Sequence, residues 1–273
     1  MSEQNYIVSL GAIPSEKDVR DYKGVAKTVN FPTEFELKMV RVKNQGSTGS
    51  CVAHAISSVI EYFNSVQNND KTEMSTGYIY GNRENSTHKG EGMIIRKAIA
   101  ATCKYGDVPK VDFPGNKEVP EAIKDFEQAK ESLYEKGQLS KFTSYYRLNS
   151  KNDIKASLIN NGPVVMSLRW YDDIKVKQGV ITTECGSSDG NHCMVIYGWN
   201  EQGWKILNSW GLGWGNRGRA ILPYDVPLRE AWGIIDTYTN DNLKDMDIEK
   251  PFNSSLGKII AKIINAILNL LSK

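Results

Sequence analysis

The sequence predicts an α+β fold built from two unlike halves, and three observations predict it. From Cys51 onward apolar residues recur at helical spacing, whereas beyond about residue 140 the chain turns to β-branched and aromatic runs separated by turns. The length, 273 residues, suits one large domain or two halves around a shared cleft. A chain of this size buries roughly three quarters of its unfolded surface, enough for a full hydrophobic core.

Residues 1–30 are polar and lack sustained periodicity, which predicts an arm lying on a body that spans 31–240. Val52, Ala55, Ile56, Val59, Ile60 and Phe63 share one face of a helix that starts near Ser50 or Cys51. Further helices are predicted over 94–105 and 120–136, with Gly106, Pro109, Pro114 and Gly115 punctuating the loop between them. Strands are predicted over 164–170, 193–199 and 204–207, the last two joined by a hairpin turn at 198–203. A linker at 241–253 then leads to a tail at 254–273. There Leu256, Ile259, Ile260, Ile263, Ile264, Ile267, Leu268 and Leu271 form one apolar helical face, and Ser254 or Ser255 can cap its start. The tail is too often interrupted by polar groups to span a bilayer. It is expected to dock on the body, to mediate self-association, to lie on a membrane surface through its three lysines, or to be released by proteolysis.

Composition narrows the function classes. With 40% hydrophobic and 24% charged residues and a net charge of +2, the chain has no clustered basic footprint, so nucleic acid is not expected as a partner. The three histidines and four cysteines never fall into a ligand spacing, so neither a metal nor another cofactor is expected. Glu3 stands where a signal peptide wants basic residues, and the cysteines show no disulfide framework. The expected location is therefore cytoplasmic, with export by a route that needs no such signal left open.

Three segments carry chemistry. In Asn44-Gln45-Gly46-Ser47-Thr48-Gly49-Ser50-Cys51 a glycine-rich turn delivers a cysteine to the first turn of a helix, where free N–H groups and the helix dipole favour a thiolate. A buried structural cysteine is the competing reading of that segment alone. In Asn191-His192-Cys193-Met194 a histidine opens an apolar strand. The stretch from Asn208 to Gly218 packs four glycines and two tryptophans behind another strand. An asparagine there can present its side-chain oxygen to an imidazole N–H, and Trp210 can shield that bond from water.

Together these segments resemble the papain family of cysteine peptidases, in particular its bacterial branch without a long propeptide. His192 follows Cys51 by 141 residues and Asn208 by 157, close to the family interval of about 130–150. The resemblance extends over roughly 31–240, through Phe31-Pro32, Val42-Lys43-Asn44-Gln45, Gly162-Pro163-Val164 and Leu222-Pro223-Tyr224-Asp225. It implies a two-lobed fold, a helical left half and an antiparallel sheet on the right, with the active site in the cleft. It implies a cysteine-type endopeptidase acting on peptide or protein substrates: Cys51 as nucleophile, His192 as base, Asn208 orienting that base, Gln45 as oxyanion donor.

The chain departs from the family in several places. Thr48 stands where secreted members carry a disulfide cysteine, Val52 replaces the tryptophan after the nucleophile, and Trp232 occupies the partner position of Cys185. By position, Gly90, Glu91 and Gly92 replace the family's substrate-binding wall, and Met166, Ser167, Asn191 and Thr237 line the pocket for the second residue before the cut. His54, three residues past Cys51, is the rival base, although nothing in its segment would orient it; His88 is expected to be a solvated loop residue. Two alternatives remain at this level: an acyltransferase using the same acyl-enzyme, and an inactive binding module.

Overall fold

The computed structural model describes residues 10–19, 21–26, 30–83, 90–115, 117–182, 186–236 and 246–249. Short strands β1 (Ala12–Ile13), β2 (Lys23–Ala26) and β3 (Phe35–Glu36) precede the central helix α1 (Cys51–Asn68). Then come α2 (Thr76–Gly81), β4 (Met93–Ile94), α3 (Ile95–Tyr105) and α4 (Val119–Gln138). The second half holds β5 (Ser144–Leu148), α5 (Lys151–Asn160), β6 (Val164–Tyr171), β7 (Lys175–Lys177), β8 (Val180–Thr182) and β9 (Ser188–Trp199). It closes with β10 (Gly203–Leu207), β11 (Arg219–Pro223), β12 (Leu228–Ile235) and β13 (Met246–Glu249). The architecture is α+β, a helical lobe against a mostly antiparallel sheet ordered β13-β2-β5-β12-β6-β9-β10-β11-β8-β7, with β3 paired to β9.

Helix α1 forms where its apolar spacing predicts it, but it is buried on nearly every side: Ala53, His54, Ser57, Ser58 and Glu61 are as covered as Ile56 and Val59. The reason is tertiary. One side packs on β9 and the other on α2 and α3, so the helix is the seam between the lobes. Its buried polar residues have partners. Glu61 accepts Lys43 Nζ at 2.6 Å, Arg41 Nε at 2.7 Å and the Met74 N–H at 2.8 Å. These ion pairs tie residues 41–43 to α1 and so set the approach of Gln45, two residues after Lys43. Breaking a buried pair of this kind costs about 3–5 kcal/mol.

Helices α2 and α5 were not anticipated by periodicity. Each begins at a serine whose side chain accepts an N–H three residues on, Ser75 from Tyr78 and Ser150 from Asp153. At α5 the pattern Ser-Lys-Asn-Asp is completed by Asp153 reaching back to the Asn149 N–H.

Two of the expected flanking segments also supply strands to the sheet. The expected arm contributes β2, which pairs in parallel with β5, so residues 23–26 belong to the main sheet. The expected linker at 241–253 carries β13, antiparallel to β2. The tail at 254–273 lies outside the described residues.

Candidate active site

Cys51 is the first residue of α1. The N-cap Ser50 hydroxyl caps no backbone N–H of the helix; it meets Thr48 Oγ1 at 2.6 Å and His54 Nδ1 at 3.2 Å instead. The N–H groups of Cys51 and Val52 therefore lean on the Cys51 thiol itself. Burial nevertheless dominates and pushes the thiol up to about 11, against those two N–H groups and those of Cys193 and Gly11, which lower it.

His192 sits near the start of β9, fully buried, and its Nε2 lies 2.7 Å from Asn208 Oδ1 just beyond β10. The same Asn208 oxygen accepts the Ser209 N–H at 2.7 Å, which identifies it as the carbonyl oxygen of the amide. Nε2 must then be the protonated ring nitrogen, leaving Nδ1 as the basic one. Nδ1 is buried and has no hydrogen-bond partner among the described residues, so the imidazole and the thiol are not bonded to each other. Burial holds His192 down to about 4, opposed by the Asn208 bond. In this state both catalytic candidates are neutral.

Three tryptophans enclose the ring. Trp210 stacks on it at 4.6 Å and 29°, Trp170 meets it edge-on at 5.3 Å, and Trp214 packs behind Trp210 at 5.8 Å. Trp210 thus lies over the imidazole rather than only beside its bond to Asn208. Gln45 is fully buried; its Oε1 accepts Ser209 Oγ at 2.6 Å and its Nε2 donates to Thr48 O at 2.8 Å. The serine fixes which way the amide points, with the donor end toward the turn that leads into Cys51. Backbone bonds from Gln45 N–H to Ser209 O and from Gly211 N–H to Lys43 O stitch the two segments together across the lobes.

His54 belongs elsewhere. Its Nδ1 meets Ser50 O at 2.9 Å, and burial, with the charge of Lys43 adding to it, holds its pKa down to about 4. It is a neutral strut for the turn into α1. His88, Cys185 and Thr237 lie outside the described residues; Cys51, Cys103 and Cys193 are free thiols.

The expected substrate wall is only partly as anticipated. Glu91 Oε2 is occupied by the Gly49 N–H at 3.1 Å and the Tyr80 hydroxyl at 2.6 Å, and Gly90 O accepts Arg83 Nη1 at 2.6 Å. These residues brace the wall; the N–H that meets an extended strand belongs to Met93, the next residue along. Met166 is a correction. It faces the sheet-side core with Val164 and Leu168, whereas Ser167 lies on the opposite face beside Cys193. Successive side chains of a strand point to opposite faces, so of the two it is Ser167 that lies on the face toward α1. Asn191 pairs with Arg169 and is half-buried.

The cleft is filled by the chain's own N-terminal segment. Strand β1 pairs in parallel with β4, and Met93 N–H donates to Gly11 O at 2.8 Å while the Gly11 N–H faces the Cys51 thiol. The fit needs glycine on both sides. A Cβ on Gly11 would stand 1.8 Å from Gly49 O, and one on Gly92, whose φ is +90°, would stand 2.4 Å from Gly11 O. Leu10 reaches across to Gly190 on β9. Behind this plug a charged latch holds residues 15–21. Arg96 Nη1 meets Asp18 and Asp21 at 3.0 Å each, Ser15 N–H donates to Glu230 Oε1 at 3.1 Å, and Arg147 bridges Asp21 and Glu230 at 3.4 and 3.7 Å.

Comparison with known proteins agrees with this geometry. A family model described as papain family cysteine protease matches residues 25–225. Ananain from Ananas comosus is 27% identical over 233 residues, covering 80% of this chain and 58% of ananain. A cysteine protease from Blomia tropicalis is 27% identical over 205 residues, covering 69% of this chain and 59% of the relative. The chain thus spans less than two thirds of the length of either relative. Among solved structures, xylellain, a cysteine protease from Xylella fastidiosa, shares the fold with a TM-score of 0.72 at 22% identity, over 87% of this chain and 100% of that one. On the match across 25–225, the chain belongs to the papain family of cysteine proteases.

Proposed function

We propose that the protein is a cysteine peptidase that hydrolyses peptide bonds through a thioester on Cys51 and is held latent by residues 10–13. The observation that carries the reading is the imidazole of His192, its Nε2–H fixed on Asn208 Oδ1 and its basic Nδ1 left without a partner. Nδ1 takes the thiol proton; the Cys51 sulfur adds to the substrate carbonyl; the oxyanion is met by Gln45 Nε2 and the Cys51 N–H. His192 then returns the proton to the leaving amine, and water, deprotonated by the same nitrogen, releases the acid.

Latency follows from the same contacts. Substrate cannot reach a thiol that is fully covered, and the neutral pair becomes a thiolate and imidazolium only when Gly11 leaves and water enters. The test is cleavage of a peptide library by the wild-type protein and by Gly11→Ala, with Cys51→Ala variants of each and an added amine in parallel. Cys51-dependent hydrolysis products support the reading. Amide products alone would make the protein an acyltransferase, and no Cys51-dependent product from Gly11→Ala would make it a binding module.

A further inference from the structure

We propose that Cys193 is a resolving thiol for Cys51, so that a hydroperoxide converts the pair reversibly into a Cys51–Cys193 disulfide. The placement comes from strand periodicity. Along β9 the side chains alternate: Cys193, Val195 and Tyr197 belong to the core cluster around α1 that contains Cys51, while Met194 and Ile196 belong to the sheet-side cluster. The Cys193 thiol therefore leaves its strand on the face that α1 covers. Helix α1 packs on β9, and Cys193 lines a small gap with Ala55 and Ser58, which follow Cys51 on the same face of α1; the Cys193 N–H also lowers the pKa of the Cys51 thiol. The two ionisations also oppose each other, as neighbouring thiols should. Cys51 is on α1 and Cys193 on β9, two elements of the body that pack directly on each other, so their proximity does not depend on the N-terminal segment.

The environment suits a pair of this kind. Cys51 and Cys193 are 0% and 1% exposed, and burial raises both thiols, so in the plugged state neither is nucleophilic. Displacing the plug for substrate admits small oxidants as well. The Cys51 thiolate attacks a peroxide oxygen, the O–O bond breaks, and the departing alkoxide or hydroxide takes a proton, leaving Cys51 as a sulfenic acid. Cys193, losing its proton, attacks that sulfur; the S–O bond breaks and water departs as the disulfide forms. Two thiols have lost two electrons and the peroxide has gained them. A dithiol reverses the change by exchange. Without a resolving partner the sulfenic acid is open to a second oxidation, to the sulfinic acid, which dithiols do not reverse.

The inference rests on Cys51 being reactive once uncovered, but its main readout does not depend on peptidase activity. The Gly11→Ala protein is treated with a modest excess of hydrogen peroxide, its remaining thiols are alkylated, and its peptides are mapped by mass with and without reduction. A cross-linked peptide pair joining Cys51 to Cys193, lost on reduction with dithiothreitol, is expected. Against its own untreated rate, this protein should recover most activity on reduction, whereas Gly11→Ala with Cys193→Ser should not recover and should accumulate sulfinic acid on Cys51. Replacing Cys103 by serine should leave recovery as before. Absence of the cross-link, a cross-link from Cys51 to Cys185 instead, or equal recovery with Cys193→Ser would each overturn the proposal. Where the Cys193→Ser variant does not fold, the peptide map alone decides.

Discussion

Gln45 and His192 serve one reaction by different physics, and removing each should leave a different signature. Gln45→Ala takes away one donor to the oxyanion and is expected to lower kcat by about 10²–10³ without unfolding the protein, read by steady-state kinetics and thermal melting. An unchanged kcat would remove Gln45 from the site. His192→Ala removes the proton carrier and should abolish turnover. His54→Ala should do the reverse, lowering the melting temperature because Ser50 loses the buried imidazole from its carbonyl and hydroxyl, the carbonyl keeping only the backbone N–H of residue 54, while turnover persists. These catalytic candidates were legible because each sits in a short segment with its own local logic: a glycine turn into a helix, a histidine opening a strand, an asparagine closing one. Ser209, Trp170 and Cys193 were not, because their importance arises only when β6, β9 and the segment after β10 come together. The face of Met166 was legible in principle, since period-two alternation puts it and Ser167 on opposite faces of β6.

Among the elements, the plug and its latch decide access. Gly11→Ala would push a methyl group into the Gly49 carbonyl, and Arg96→Ala would remove two ion pairs from the latch. Hydrogen bonds to charged groups are worth about 1.5–3 kcal/mol, less where partly exposed, so Arg96→Ala is expected to raise the open population about tenfold. Both variants should be alkylated by iodoacetamide at Cys51 faster than wild type. Equal rates would show that β1 does not control the thiol. The sequence predicts residues 1–30 to be an arm on the body but does not name its partner strands, because β1 and β2 are too short to show a period and their partners lie some 80 and 120 residues away. Helix α5 was missed for another reason: its sign in the sequence is the pair Ser150 and Asp153 at its start, a local signal that apolar periodicity passes over.

Across the whole molecule, buried neutral groups set the pH range of stability. His54 and His192 are both held down to about 4 by burial. An unfolded chain protonates its histidines near pH 6.5, so below that value it binds protons that the folded protein refuses. Stability should therefore be full above about pH 6.5 and fall toward pH 4, with the melting temperature already dropping between about pH 6.5 and 5, before most carboxylates titrate. At the other end Cys51 is raised to about 11, so stability should decline again as pH climbs from 9 toward 11. A melting temperature that stays flat from pH 7 to 5 would contradict the buried neutral histidines. The tail at 254–273 is tested separately: co-sedimentation with anionic vesicles by the full chain, but not by one ending at Lys250, is expected if its basic amphipathic face meets membranes. Loss of an oligomer on truncation would assign it to self-association instead.

The latch at residues 15–21 lies only a few residues beyond the plug at 10–13, and this closeness has a kinetic consequence. A blocker so tethered acts at a fixed effective concentration, of millimolar order for short connections, however dilute the protein becomes. Specific activity should then be independent of enzyme concentration, whereas a dissociable inhibitor would be shed on dilution. Substrate would meet the site only in the fraction of molecules whose tether has swung away, and its apparent affinity would be reduced by that fraction. Long or tightly binding peptides, which offer more contacts with which to displace Leu10 and Gly11, would be favoured over short ones before any preference at the scissile bond came into play.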